Sequence, residues 1–331
     1  MINKVDNRIS TYIRIIMDFP SLCCDELDII INFLPINDIW SFRLLNKNYK
    51  KYIDDDFRLE NYVYKIANVE VIKKYAKYLI KIIISSDNNI TDEDLRDMNK
   101  LKILKLSHNE NITNNGLKYI PNIQKLDLCS NGNITDSGLK YISNVVDLNL
   151  HYNTNITNDG LRCIQNVQKL DLCHNTNITD HGLKYISDVL DLNLCYNEKI
   201  TDIGPKYIHN VQKLNLHFNE NITDNGLICI PNILNLDLHF NRNITDSGLK
   251  YIPNILQLDL FWNRNITDDG LKYIPNVLNL NLYSNINITD NGLKYIPNVQ
   301  ALNLYENSNI TSEGLEYIPN IIKSHFHYNK K

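Results

Sequence analysis

From residue 101 to 320 the pattern of apolar and polar positions repeats every 22 residues, ten times. A representative unit opens on Leu126-x-Leu128, passes through Asn131 and Ile134-Thr135, and closes on Gly138-Leu139, Ile142 and Val145. Stepping by 22 from Leu104 lands on leucine at every unit to Leu302, Asn109 heads a matching column of asparagines to Asn329, and Gly116 a column of glycines to Gly314. Each column predicts a piece of local structure. Leu-x-Leu alternation is a short strand with one buried face. The asparagine amide satisfies turn backbone and can stack from unit to unit. Ile-Thr-Asp/Asn adds a buried apolar residue and helix N-cap chemistry. Gly-Leu-Lys-Tyr-Ile then makes one or two helical turns, which Pro-Asn ends. About six inward apolar side chains per unit, at roughly 1.5–3 kcal/mol each, do not cover a backbone ordering cost on the order of 1–2 kcal/mol per residue. One unit cannot fold by itself, so the pattern predicts stacked rungs.

The boundaries follow from where the period holds. Residues 1–21 are an N-terminal extension, 22–56 a helical segment and 57–78 a helical linker. Ile82, Ile84, Asp87, Ile90, Thr91 and Leu95 fall on the repeat columns, which makes 79–100 a degenerate capping unit; 101–320 are the ten full units and 321–331 a terminal half-unit. Pro205 replaces the helix leucine of the fifth unit, which predicts a distorted helix there. The repeat pattern ends after Ser324-His325-Phe326 and Asn329 with no obvious polar cap, which predicts an open edge.

Composition narrows the picture only in places. The net charge is −4, so no global basic field exists to hold nucleic acid or an anionic membrane. No apolar run is long enough to span a bilayer, and Lys4, Asp6, Arg8, Arg14 and Asp18 interrupt every candidate signal segment. Seven cysteines, an odd number, with no secretory signal predict free thiols and a reducing, cytoplasmic compartment. Ten Asn-Ile-Thr sequons follow from the repeat consensus, and glycosylation is not expected.

The units resemble leucine-rich repeats, with their Leu-x-x-Leu-x-Leu-x-x-Asn signature, over about two-thirds of the chain. The Ile-Thr-Asp-x-Gly-Leu stretch is similar to the cysteine-containing subtype of F-box proteins, with asparagine in place of its cysteine. The resemblance implies an α/β solenoid: a leucine-rich-repeat horseshoe with parallel strands on the concave side and short helices on the convex side. Residues 22–56 carry two helical faces, one through Leu27, Ile30, Ile31 and Leu34, the next through Ile39, Phe42, Leu45 and Tyr49. Read from spacing, they are a helical cap. The order Leu22, Glu26, Leu27, Ile30, Ile31, Leu34, Asp38, Ile39, Arg43, Asn46, Lys47, Tyr49 also resembles an F-box, with Cys23 where that motif has proline. An F-box on Asn/Ile-rich repeats is similar to the F-box/leucine-rich-repeat proteins of giant viruses of amoebae, whose setting is the host cytoplasm. That resemblance implies a Skp-type adaptor and a cullin ubiquitin ligase as partners, with Leu22, Leu27, Ile30, Ile31, Leu34 and Ile39 as the adaptor-binding residues.

Surface columns refine the expectation. The position between the two leucines is Asp or Asn from Asp127 to Asn303 and never basic, which argues against nucleic acid on the concave face. Lysines and arginines lie on the helices instead, from Lys118 to Lys294, as a solvated face. The position after Leu-x-Leu reads Ser107, Cys129, His151, Cys173, Cys195, His217, His239, Phe261, Tyr283, Tyr305. Its Cys/His stretch has zinc-ligand chemistry with His174 nearby, but no motif fixes four ligands at one point, and no metal or other cofactor is expected. The next position adds Phe218, Phe240 and Trp262. The expected partner-binding residues are therefore Phe218, Asp237, Phe240, Asp259, Phe261, Trp262, Tyr283 and Tyr305, either as a hot spot or as a ladder packed on itself. No nucleophile elbow, phosphate loop or H-E-x-x-H motif is present, so no enzyme is expected. Two functions stay open: a substrate-recognition subunit of a Skp-cullin-F-box ligase, or a stand-alone protein-binding scaffold or adaptor decoy. The partner on the concave face is an unknown protein, with neither nucleic acid nor membrane involved.

Overall fold

The computed structural model describes residues 64–66, 81–84 and 90–325. The F-box-like segment, and with it Leu22, Leu27, Ile30, Ile31, Leu34 and Ile39, lies outside the described residues.

Thirteen parallel strands form one open sheet in chain order, from β1 (Tyr64–Ile66) and β2 (Lys81–Ile84) through β3 (Ile103–Lys105) to β13 (Lys323–His325). β4 to β12 are Lys125–Asp127, Asp147–Asn149, Lys169–Asp171, Asp191–Asn193, Lys213–Asn215, Asn235–Asp237, Gln257–Asp259, Asn279–Asn281 and Ala301–Asn303. Register follows the period: Leu126 faces Leu148, and Leu258 faces Leu280. Strands β3 to β12 are three residues long because only Leu-x-Leu and its flank keep the alternating pattern; both leucines point into the core. β2 supplies the capping unit's strand. β1 falls inside the stretch expected to be a helical linker, so the sheet starts one strand earlier than that reading placed it.

After each of β3 to β12 the chain turns on a left-handed residue and enters the buried asparagine. In the unit of β9, Phe240 has φ 60°, and the Asn241 N–H closes the turn onto the Leu238 carbonyl at 2.9 Å. The asparagines form a spine through the solenoid. Asn219 N–H donates to Asn241 Oδ1 at 3.1 Å, and Asn197 N–H to Asn219 Oδ1 at 3.0 Å. Each Oδ1 shares its N–H with the turn carbonyl, since Asn219 N–H also reaches the Leu216 carbonyl at 3.0 Å, while Asn219 and Asn241 Nδ2 are buried without a partner.

The convex side carries four-residue helical turns, from Asn114–Leu117 to Ser312–Leu315. Threonine occupies the N-cap, as its sequence position predicts. The following Asp or Asn also reaches the next rung: Thr267 donates its N–H to Asp246 Oδ1 at 2.8 Å and its hydroxyl to Asp246 Oδ2 at 2.6 Å. This staple accounts for the glycine column. A Cβ on Gly270 would fall within van der Waals contact of Asp246 Oδ1, so glycine is required for close approach of rungs. In the fifth unit, Gly204–Tyr207 forms a 3-10 turn with Pro205 buried at its start, the distortion expected from a residue without an N–H.

Candidate recognition surface

The concave face is made by the residues flanking each first leucine and by the residue between the leucines. Two grooves follow the sheet. One of about 520 Å³ runs over β3 to β9, and one of about 370 Å³ over β9 to β12. Their floors differ. Before the first leucine, the N-terminal groove alternates Lys125, Asp147, Lys169, Asp191 and Lys213, with Lys125–Asp147 at 3.7 Å and Lys213–Asp191 at 4.0 Å. The C-terminal groove has Asn235, Gln257, Asn279 and Ala301 at the same position, and Asn235 Nδ2 donates to Gln257 Oε1 at 2.8 Å.

The Asp/Asn column between the leucines has a structural cause. Its Oδ1 accepts the backbone N–H two residues on: Asp237 from His239 at 3.0 Å, Asp259 from Phe261 at 2.9 Å, Asn281 from Tyr283 at 3.1 Å. Lysine cannot accept a hydrogen bond, which explains why none appears after the first unit. Asp259 uses its second oxygen as well, taking Asn281 Nδ2 at 2.9 Å. The acidity of this column therefore reflects backbone satisfaction first. Burial raises the Asp237 carboxyl to about 6 against the pull of the His239 N–H, and Asp259 adds to the rise. Burial lowers the neighbouring His239 to about 4, with His217 adding to the fall and Asp259 opposing it.

Beyond the strands, two adjacent columns of rings form a continuous ledge. Phe218 stacks on Phe240 at 4.5 Å, Phe240 lies 5.4 Å from Trp262, Phe261 stacks on Tyr283 at 4.3 Å, and Tyr283 on Tyr305 at 4.9 Å. The expected aromatic residues thus come together as a ladder, and each remains half-buried rather than fully covered. Tyr283 donates its hydroxyl to Glu306 at 2.9 Å. The Arg264 guanidinium lies 4.5 Å over Trp262 and, with Arg242 and Asn265, lines a small recess beside it.

The ledge runs further than the residues singled out from sequence. His151, Tyr152, His174 and Tyr196 continue it toward the N-terminus, with Tyr152–His174 at 4.3 Å and His174–Tyr196 at 4.2 Å. The signal was in the same 22-residue step, read over too few units. Ten residues of this column, His108 to Glu306, hold φ between 58° and 62° without being glycine. Each costs about 1–2 kcal/mol relative to right-handed backbone, offset where rings stack by roughly 0.5–1.5 kcal/mol per pair.

Cys173 and Cys195 correct the expectation of free thiols. They are joined as a disulfide with Cα–Cα 4.6 Å, because a 22-residue step places equivalent residues side by side on adjacent strands. Cys129, Cys163 and Cys229 are free. Of the Cys/His stretch, three donors meet: ligand atoms of His151, Cys173 and His174 lie within 4.8 Å of one another.

The convex cations sit over tyrosine rings of the helical turns, such as Lys118 over Tyr141 at 5.4 Å and Lys294 over Tyr317 at 4.8 Å. The sequon asparagines from Asn133 to Asn309 are exposed and tie rungs together, as Asn243 Nδ2 does by donating to the Glu220 carbonyl at 2.6 Å. Among the described residues, no helix is long and apolar enough to cross a membrane.

The Leucine Rich repeat family matches the chain at residues 97–120, 119–143, 165–187, 207–230 and 253–274. No curated protein sequence matches the chain. Among solved structures, an internalin from Listeria monocytogenes is similar at TM-score 0.56 and 18% identity, over 80% of this chain and 78% of its own. A chain of the yeast Rad7–Elc1 complex is similar at TM-score 0.52 and 18% identity, over 98% of this chain and 84% of its own. The Toll–Spätzle complex of Drosophila gives TM-score 0.60 at 16% identity, over 78% of this chain and 37% of the other. Family matches spread along the repeats, a parallel sheet in 22-residue register and likenesses of this extent agree on one fold: the chain carries leucine-rich repeats built into an open solenoid.

Proposed function

We propose that the protein is a non-catalytic interaction adaptor that holds a protein partner on the C-terminal half of its solenoid. The observation that carries this reading is the ring ledge beside the amide-lined groove. From Phe218 to Tyr305 it presents half-buried aromatic side chains at the rim of a concave surface whose backbone groups are already satisfied. Phe240 and Trp262 hold left-handed backbone that glycine would hold without strain, so these side chains are kept against a local cost. Aromatic and arginine side chains beside a groove are the composition of binding hot spots. A groove floor of amides with the carboxylates of Asp237 and Asp259 suits a partner with polar, uncharged or basic surface and apolar anchors.

The finer reading is a substrate-recognition subunit of a Skp-cullin-F-box ligase. Residues 22–56, with Leu22, Leu27, Ile30, Ile31, Leu34 and Ile39, would grip the adaptor, and the solenoid would present the substrate. It is supported by the F-box-like order of those residues and by the likeness, over nearly the whole chain, to a chain from a two-protein complex of Rad7 with Elc1. Such a protein performs no chemistry; it raises the effective concentration of substrate at a ligase bound elsewhere. Its setting is the cytoplasm, of a host if the chain is viral.

Co-expression with a eukaryotic Skp-type adaptor tests this. A stable complex lost on Leu27→Asp/Ile30→Asp, and retained on Phe240→Ala/Trp262→Ala, is the expected result. Absence of a complex from folded protein would remove the ligase role and leave a stand-alone scaffold, the reading that Cys23 in place of the F-box proline favours.

A further inference from the structure

Three rungs at the N-terminal end of the ledge bring together a different chemistry. His151 follows β5, Cys173 and His174 follow β6, and Cys195 follows β7. The ligand atoms of His151, Cys173 and His174 all lie within 4.8 Å of one another, and Cys195 Sγ is bonded to Cys173 Sγ. Both cysteines are buried. His151 Nε2 is shielded from solvent and has no hydrogen-bond partner, a condition that a ligand would relieve. The His174 ring is held between Tyr152 and Tyr196, which restricts where its nitrogens can point. Two imidazoles and two sulfurs at one place are the donor set of a tetrahedral thiolate–imidazole centre.

We propose that, once the Cys173–Cys195 bond is reduced, His151, Cys173, His174 and Cys195 bind one soft d¹⁰ cation of the zinc class. Bonds of about 2.0–2.1 Å to nitrogen and 2.3 Å to sulfur need donors roughly 3.5 Å apart, an approach that side-chain rotation provides after the sulfurs separate. Reduction places two electrons and two protons on the Cys173–Cys195 pair, giving two thiols. A trialkylphosphine supplies the electrons and becomes the phosphine oxide, with oxygen and protons from water. Cation binding then releases the two thiol protons. Disulfide and metal compete for the same sulfurs, so the site is open only in the reduced protein. The second cluster, Asp237, His239 and Asp259, lacks this character, because it holds no sulfur and both carboxylates already accept a backbone N–H.

The test uses the full chain carrying Cys23→Ser/Cys24→Ser, which removes the vicinal pair near the start, and Co²⁺ as the probe. After phosphine treatment and removal of the reductant, the expected result is one Co²⁺ per chain with sulfur-to-cobalt charge-transfer absorption in the near ultraviolet. Before reduction, no such band should appear. Cys173→Ser should abolish the band, and His151→Asn should weaken binding by more than the roughly 10–100-fold that loss of a mere supporting partner costs. No cobalt band in the reduced protein, or a band unchanged by Cys173→Ser, would overturn the proposal. A second measurement needs no ledge substitution: Zn²⁺ should protect Cys173 and Cys195 from alkylation in reduced protein while leaving Cys163 and Cys229 labelled. Equal labelling with and without zinc would also overturn it.

Discussion

The two halves of the concave side share one backbone and differ in almost everything placed on it. From β4 to β8 the position before the first leucine alternates lysine with aspartate, and the ledge beside it is mainly cysteine, histidine and tyrosine, with Phe218 at its end. From β9 to β12 the position before the first leucine is amide or alanine, on a floor that also holds Asp237 and Asp259, and the ledge is mainly phenylalanine, tryptophan and tyrosine, with His239 at its start. Yet the leucines, the buried asparagine column, the threonine staples and the glycines continue across the join. Columns that hold rungs together are uniform, and columns free of that duty diverge. Recognition belongs to the second kind.

That comparison breaks most visibly if the frame is not uniform. Leu170→Ala in β6 and Leu258→Ala in β10 each remove a buried side chain facing equivalent neighbours. Each should cost about 2–5 kcal/mol, and urea denaturation should give similar losses for both; a large loss in one half with little in the other would show two frames. Gly270→Ala drives a Cβ into Asp246 and should cost about 1–3 kcal/mol. Asp246→Ala opens that space, so the double variant should lose less than the sum of the singles. Strict additivity in the denaturation cycle would mean the glycine is there for some other reason.

At the ledge, Phe240→Ala loses ring stacking and keeps the left-handed strain, whereas Phe240→Gly loses the ring and relieves it. The glycine variant should be the more stable of the two by about 1 kcal/mol, read from thermal or chemical unfolding. The reverse order would remove the argument that side chains here are retained at backbone expense.

The smallest effect is electrostatic. The Asp237 carboxyl, raised to about 6 when folded, contributes stability below its unfolded pKa that is lost as pH rises through about 6. His239, lowered to about 4, contributes the opposite: stability present above its unfolded pKa and lost as pH falls toward 4. Between pH 4 and 6 the two partly cancel. Asp237→Asn keeps the Oδ1 acceptor, as Asn281 does in its own rung. It should stabilise the protein at pH 7 by about 1 kcal/mol, since the half-buried group keeps some water. It should also steepen the loss on acidification from pH 6.5 to 4.5. A variant no more stable at pH 7 would place Asp237 in a better-solvated setting.

Much of this was legible in the sequence, because a repeat multiplies every local signal. The 22-residue step gave strand, turn, asparagine column and cap, and Pro205 announced the distorted turn of the fifth unit. Two things were hidden by the same regularity. The aspartates between the leucines read as a recognition charge, when Asp259 spends both oxygens inside the fold. Contacts across rungs were also underread: Cys173 and Cys195 are 22 residues apart in sequence and bonded in space, and glycines that look like helix residues are clearances for a neighbour's carboxylate. Periodicity specifies what each rung does for itself more readily than what rungs do for each other.

The most direct test of the central claim compares two ledge variants of the full chain in cells. Phe240→Ala/Trp262→Ala alters the C-terminal ledge, His151→Ala/Tyr152→Ala the N-terminal one, and quantitative mass spectrometry of co-purifying proteins reads both against the unaltered chain. The account predicts that the first variant, still folded by circular dichroism, loses its protein partners while the second keeps them. Partners retained by the first and lost by the second would contradict it.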